Sequence, residues 1–227
     1  MQKLEIQKVS PNTLSQFRGP SRAWGQLAIL AAAAFVAGSG LVPLPYQQLA
    51  RAADGTWNVN ADGNWSAANR WLGNTIPGTT SGTTSTDTAY FSTLLTAART
   101  VTVDANRNIQ NIIFGEGNSS TFGYTLSGGP LLLTSGGTIA STGTLGAHTD
   151  TISSPMTIIG NNATYRFNND SELATRLLSI SGAVTGQSTA GGTTTLYLGG
   201  NNSGINTFSG PLNVGTGGGG LAIVKDG

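Results

Sequence analysis

The feature that most limits the fold of this chain is a series of short β-favouring runs with no long helical pattern beside them. Most runs hold four to six residues rich in Val, Ile, Leu, Thr or aromatic side chains, and several alternate apolar with polar residues. Gly, Asn, Ser and Thr separate the runs. Strands are predicted at residues 100–103, 109–114, 130–134, 156–159, 164–167, 177–180, 194–198, 211–214 and 221–224. The chain is therefore expected to be all-β.

The turns between these runs favour one β architecture over another. Asp-Gly hairpin turns occur only near the start of the series, at Asp54-Gly55 and Asp62-Gly63, whereas an up-and-down barrel repeats such turns. Irregular corners rich in Gly and Asn favour a right-handed parallel β-helix, a solenoid in which each turn stacks on the last. An antiparallel β-sandwich or jelly roll is the alternative. One segment, residues 171–180, has the composition for one or two helical turns.

Composition narrows the function classes. Charged residues make up 9% of the 227 residues, against roughly 25% in ordinary soluble chains, so hydroxyls and amides must cover the surface. After residue 52 there are six basic and nine acidic residues and no basic stripe, which excludes nucleic acid as a partner. The chain has no cysteine, which excludes disulfides and thiolate metal sites. No cofactor is expected.

The N-terminal segment has the features of an export signal. Residues 1–26 are polar and basic, and residues 27–37 form an uncharged apolar run. Glycines and prolines follow, and then Ala-Arg-Ala at 50–52 offers a cleavage site. The run is shorter than the roughly 20 apolar residues that span a bilayer. We expect residues 1–52 to be a signal peptide of a secreted or cell-surface protein, with an uncleaved anchor as the alternative.

The rest of the chain divides at residue 100. Residues 53–99 are predicted to form an N-terminal cap with a Gly- and Thr-rich loop, and residues 100–227 to form the solenoid repeats. A solenoid needs a cap because its first coil would otherwise expose an apolar stack. Three tryptophans are expected to cover that end: Trp57, Trp65 and Trp71. The last predicted strand has no evident cap, so a fragment of a longer array is expected.

Two stretches of the chain carry a family resemblance. The first is an ordered series of motifs across residues 56–129, from Gly-Asn-Trp-Ser at 63–66 to Tyr-Thr-Leu-Ser-Gly-Gly at 124–129. The second joins residues 198–202 to Asn-Thr-Phe-Ser-Gly-Pro-Leu-Asn-Val at 206–214. They resemble the opening module and the repeat unit of bacterial proteins with autotransporter-associated β-strand repeats. The resemblance implies the N-terminal portion of an exported, passenger-like β-helix, and it brings no shared catalytic residues.

Catalytic chemistry has few candidates in this sequence. The only histidine, His148, is expected to be a solvated loop residue. Three carboxylates lie within 23 residues, at Asp150, Asp170 and Glu172, and parallel β-helices also host polysaccharide-active enzymes that use such groups. The alternative for these acids is a polar loop with ion-paired arginines. We expect no enzyme activity and no metal site.

A binding role is the other alternative. Trp57, Trp65 and Trp71 could form an aromatic platform for sugar rings, although large aromatics more often pack in a core. The expected function is an exported surface or extracellular segment with a structural or adhesive role. Its expected partners are cell-surface or extracellular polysaccharide, or further copies of itself. Contact with a membrane is expected only through export or through a missing C-terminal region.

Overall fold

The computed structural model describes residues 53–115 and 117–227, in which turns and loops join sixteen strands and two short 3-10 helices, at Ala68–Arg70 and Leu72–Asn74. The signal-peptide prediction for residues 1–52 lies outside the described residues. The sixteen strands are β1 Gly55–Thr56, β2 Gly63–Asn64, β3 Thr88–Phe91, β4 Arg99–Val103, β5 Arg107–Phe114, β6 Tyr124–Gly128, β7 Leu131–Ser141, β8 Thr149–Ile152, β9 Met156–Ile159, β10 Thr164–Asn169, β11 Leu177–Ile180, β12 Val184–Gln187, β13 Thr193–Gly199, β14 Thr207–Phe208, β15 Leu212–Val214 and β16 Gly220–Asp226.

Every pairing between these strands is parallel. One sheet has the order β2-β4-β6-β8-β11-β14, and the other runs β1-β3-β5-β7-β10-β13-β16 with β9, β12 and β15 attached. Parallel strands that pair with the strand one turn earlier, over about five turns, define a β-solenoid. The predicted parallel solenoid is confirmed, and the antiparallel sandwich was the wrong alternative.

From β4 onward, each turn has three strand positions. The long strand β7 occupies two of them, since residues 131–133 pair with β9 and residues 138–141 pair with β10. From β8 onward each position has its own strand. The partners Met156, Val184 and Leu212 lie 28 residues apart along the chain, which is one turn.

The core lies inside the coils as stacks of side chains in register. One stack contains Ala89, Ile112, Ile139, Phe167 and Leu198, which pair directly from β3 to β13. The first three are fully buried and Phe167 is 4% exposed. Such a stack removes apolar surface from water at about 25 cal/mol per Å², and it holds successive turns together.

The nine predicted runs all fall on strands, and residues 156–159 and 177–180 match their strands in full. The segment of residues 171–180, whose composition would also allow one or two helical turns, contains no helix. Its second half is strand β11, because Leu178 and Ile180 point into the core while the strand pairs with β8. Strands β1 to β3 belong to the same two sheets, so the predicted boundary at residue 100 lies within continuous sheets.

Candidate functional site

The three predicted tryptophans fill the interior of the first turn. Trp57 and Trp65 are fully buried and Trp71 is 2% exposed. The Trp71 ring lies 5.2 Å from each of the other two indoles, and Phe91 lies 5.6 Å from Trp65. The indole N–H of Trp65 donates to the Pro77 carbonyl at 2.9 Å, which satisfies a polar group inside this cluster.

A sugar-binding platform needs an aromatic ring with one face open to solvent. None of these three indoles has an open face in the structure, because each is enclosed by its neighbours and by the first turn. They pack instead as core side chains of the first described turn. Tyr90, on the outer side of β3, is the nearby aromatic residue that is exposed.

The structure separates the three predicted acidic residues by environment. Asp150 is fully buried on β8, whereas Asp170 and Glu172 are exposed in the corner after β10. Asp170 accepts a hydrogen bond from the backbone N–H of Asn201 at 3.1 Å. In the described part of the chain, no three His, Cys, Asp or Glu residues are grouped so that they could hold a metal ion. The acidic residues therefore do not converge on one cleft.

His148 lies in the interior, so the prediction of a solvated loop residue is wrong. Its ring contacts the Ser120 carbonyl at 2.9 Å through Nδ1 and the Asp150 carboxylate at 3.2 Å through Nε2. The other Asp150 oxygen accepts the backbone N–H of Tyr124 at 2.9 Å. Burial raises the pKa of the Tyr124 hydroxyl above its usual range, with a smaller contribution from Asp150.

Arg176 is the centre of this buried polar cluster. The residue is fully buried and its guanidinium donates to the carbonyls of Gly115 at 2.7 Å, Asn118 at 3.1 Å and Leu145 at 3.0 Å. The guanidinium also lies 4.0 Å from the Asp150 carboxylate. Its partners are as far as 61 residues away in sequence, so one side chain bonds its own corner to the two preceding corners.

Asparagines extend the same corner toward the last turn. Asn169 is buried and donates to the side-chain oxygen of Asn206 at 2.6 Å. Asn202 donates to the carbonyl of Ser171 at 2.9 Å. The corner asparagines therefore bond neighbouring turns.

One sequence signal could have placed Asp150 correctly. In the Thr-Asp-Thr-Ile segment of β8, Asp150 and Ile152 are two residues apart, and residues two apart in a strand face the same side. The apolar Ile152 marks that side as the interior. Arg176 has no comparable local signal, because its corner is irregular.

The opposite side of the β2-to-β14 sheet presents two ranks of hydroxyl groups to solvent, which we term the hydroxyl face. The first rank is Thr100, Thr125, Thr151, Ser179 and Thr207, and the second is Thr102, Ser127, Ser153, Ser181 and Ser209. All ten residues are exposed or half-buried, and the residues between the ranks point into the core.

A cavity of about 340 Å³ opens at the last turn. Its apolar wall includes Phe167, Leu198 and Phe208, and Lys225 lines its edge. Lys225 occupies the position that follows Leu198 in the inward stack, and its ammonium group donates to the Gly227 carbonyl. The last turn therefore leaves part of the core stack open.

Within residues 53–115 and 117–227, no helix has the length and apolar character needed to cross a bilayer. No protein family, curated protein or solved structure matches this chain in sequence or fold. The class of protein is therefore defined by the structure itself, which is that of a parallel β-solenoid.

Proposed function

We infer that this chain is an exported structural or adhesive solenoid segment that acts through its outer surface and not through catalysis. The inference rests on the hydrogen bonds of the buried polar groups, which are made within the solenoid itself. Asp150 and His148 bond each other and the backbone, and Arg176 bonds three carbonyls of two preceding corners. These groups stabilise the stacking of turns, as a rigid scaffold requires.

The exported location is supported by the sequence of residues 1–52. The test is expression of the full chain in a Gram-negative host, followed by cell fractionation and N-terminal sequencing of the exported protein. We expect a mature N-terminus at Ala53, and Leu30→Lys, within the apolar run, to keep the protein in the cytoplasm. Thr13→Lys, outside the run, is the matched control and should be exported. Cytoplasmic retention of the unmodified chain would contradict the proposal.

The adhesive role is tested with beads that carry the purified chain. We expect the beads to be retained on surfaces coated with polysaccharide or with the same protein, and beads that carry heat-unfolded chain to be washed away. If folded protein is retained on neither surface, the adhesive part of the proposal is wrong. Release of reducing sugar from polysaccharides, lost in Asp170→Ala, would overturn the non-catalytic part.

A further inference from the structure

The hydroxyl face is more regular than composition explains. Thr and Ser are 52 of the 227 residues, yet they occupy all ten positions of the two ranks over five successive strands. The inward position between the ranks is apolar in each strand: Val101, Leu126, Ile152, Ile180 and Phe208. The strand therefore repeats a three-residue pattern of hydroxyl, apolar side chain and hydroxyl.

The strand pairing turns this pattern into a two-dimensional grid. The rank from Thr100 to Thr207 is paired residue to residue, and the described strands of this sheet show no register shift. Ser153, Ser181 and Ser209 each donate a backbone N–H to the strand one turn earlier, which keeps the second rank in line. The grid spacing is about 4.8 Å between strands and about 6.6 Å between ranks.

Contacts at its edges and within its ranks hold the grid in place. Thr207 donates its hydroxyl to the Ser179 hydroxyl at 2.9 Å, so neighbouring turns are linked on the face itself. At the other end of the grid, the Asp62 carboxylate accepts a hydrogen bond from the backbone N–H of Thr100 at 2.8 Å, which fixes the first strand of the grid. Side-chain ladders of this kind also keep a sheet flat.

The ten grid residues are uncharged and none is aromatic. This composition limits the kind of ligand that the hydroxyl face can bind. A charged solid or a polyanion needs opposite charges on the protein, and a sugar ring usually needs an aromatic ring to stack on. Trp57, Trp65 and Trp71 are buried in the core and not available for such stacking. The hydroxyl groups of five threonines and five serines, repeated on a rigid lattice, instead suit ordered water. Such waters bridge polar groups at small entropic cost.

We propose that the hydroxyl face binds ice. The surface of ice is a neutral lattice of oxygen atoms that donate and accept hydrogen bonds and that repeat on a scale close to this grid. A single hydroxyl binds water weakly, but ten hydroxyls in register contact the lattice together, and a rigid solenoid loses little conformational entropy on binding. The proposal is independent of export and of any polysaccharide partner.

The experiment measures thermal hysteresis, the gap between melting and freezing temperatures of an ice crystal, in solutions of the full chain. We expect hysteresis with the unmodified protein and its loss in Thr151→Lys, which places a hydrated charge in the middle of the first rank. Thr157→Lys is the matched control: Thr157 is also a half-buried outward threonine, but it lies on β9, outside the hydroxyl face. This control should retain the full hysteresis.

Each alternative outcome overturns the proposal. Folded protein, verified by circular dichroism, without hysteresis contradicts ice binding directly. Equal loss in both lysine variants shows that the hydroxyl face is not responsible. Binding to microcrystalline cellulose or chitin at room temperature, lost only in Thr151→Lys and without hysteresis, assigns the face to a polysaccharide. Thr151→Ser keeps the hydroxyl and should retain hysteresis. Loss of hysteresis in this variant as well would show that any substitution in β8 is disruptive, and the effect of Thr151→Lys would then not support ice binding.

Discussion

Replacement of Arg176 by alanine tests how the turns are held together. The guanidinium donates to three backbone carbonyls at 2.7 to 3.1 Å and lies 4.0 Å from the buried Asp150 carboxylate. Arg176→Ala leaves these carbonyls without their donor and the carboxylate without its nearby cation. Breaking a buried ion pair from one side typically costs about 3–5 kcal/mol, and the total stability of a domain is about 5–15 kcal/mol. We expect a loss of about 3–5 kcal/mol.

The assay is urea unfolding followed by circular dichroism, with Arg166→Ala as the matched control. Arg166 pairs with Asp226 at 3.2 Å, but the two side chains are 48% and 58% exposed, so this pair contributes at most about 1 kcal/mol. The free energy of unfolding of Arg176→Lys should lie between those of the alanine variant and the unmodified chain. Lysine keeps the positive charge but lacks the planar guanidinium that donates several hydrogen bonds at once.

A second variant separates the ion pair from the carbonyl bonds. Combining Arg176→Met with Asp150→Asn removes both charges, so the penalty for an unpaired buried carboxylate disappears and part of the lost stability should return. If Arg176→Ala costs no more than Arg166→Ala, the guanidinium does not hold the corners together and the reasoning is wrong.

Two further predictions concern the aromatic core. Trp65→Ala removes a fully buried indole and should cost about 3–5 kcal/mol in urea unfolding, whereas Tyr90→Ala, at an exposed ring, should cost much less; equal losses would show that the first turn is not a packed end. Burial raises the pKa of Tyr165 to about 12, so the unfolded chain releases this proton at a lower pH than the folded chain does. Stability should therefore be complete below pH 10 and fall as the pH rises toward 12, which alkaline urea unfolding measures; Tyr165→Phe should lose less over this interval, and an equal loss would contradict the assignment.

The positions of most strands, and the side chains that face inward, can be predicted from local sequence patterns. A strand is recognised from a local alternation with a period of two, and that alternation is readable in segments such as Thr-Val-Thr-Val at 100–103. Seven strands have no counterpart among the predicted runs: β1, β2, β3, β6, β8, β12 and β14. Three of them, β1, β2 and β14, hold only two residues each, which is too short for an alternation to be recognised. Local composition also favoured parallel turns over hairpins, and the structure confirms this.

The contacts between residues far apart in sequence depend on how the turns stack, which local patterns do not reveal. Turn lengths vary, from 23 residues between Thr88 and Asn111 to 38 between Gly63 and Val101, so the register of one turn on the next cannot be counted along the chain. That register buries His148 beside Asp150 and brings Arg176 to partners 61 residues away. The same register aligns scattered Thr and Ser residues into the hydroxyl face. Local patterns fix the strands, and long-range pairing fixes the polar cluster and the surface.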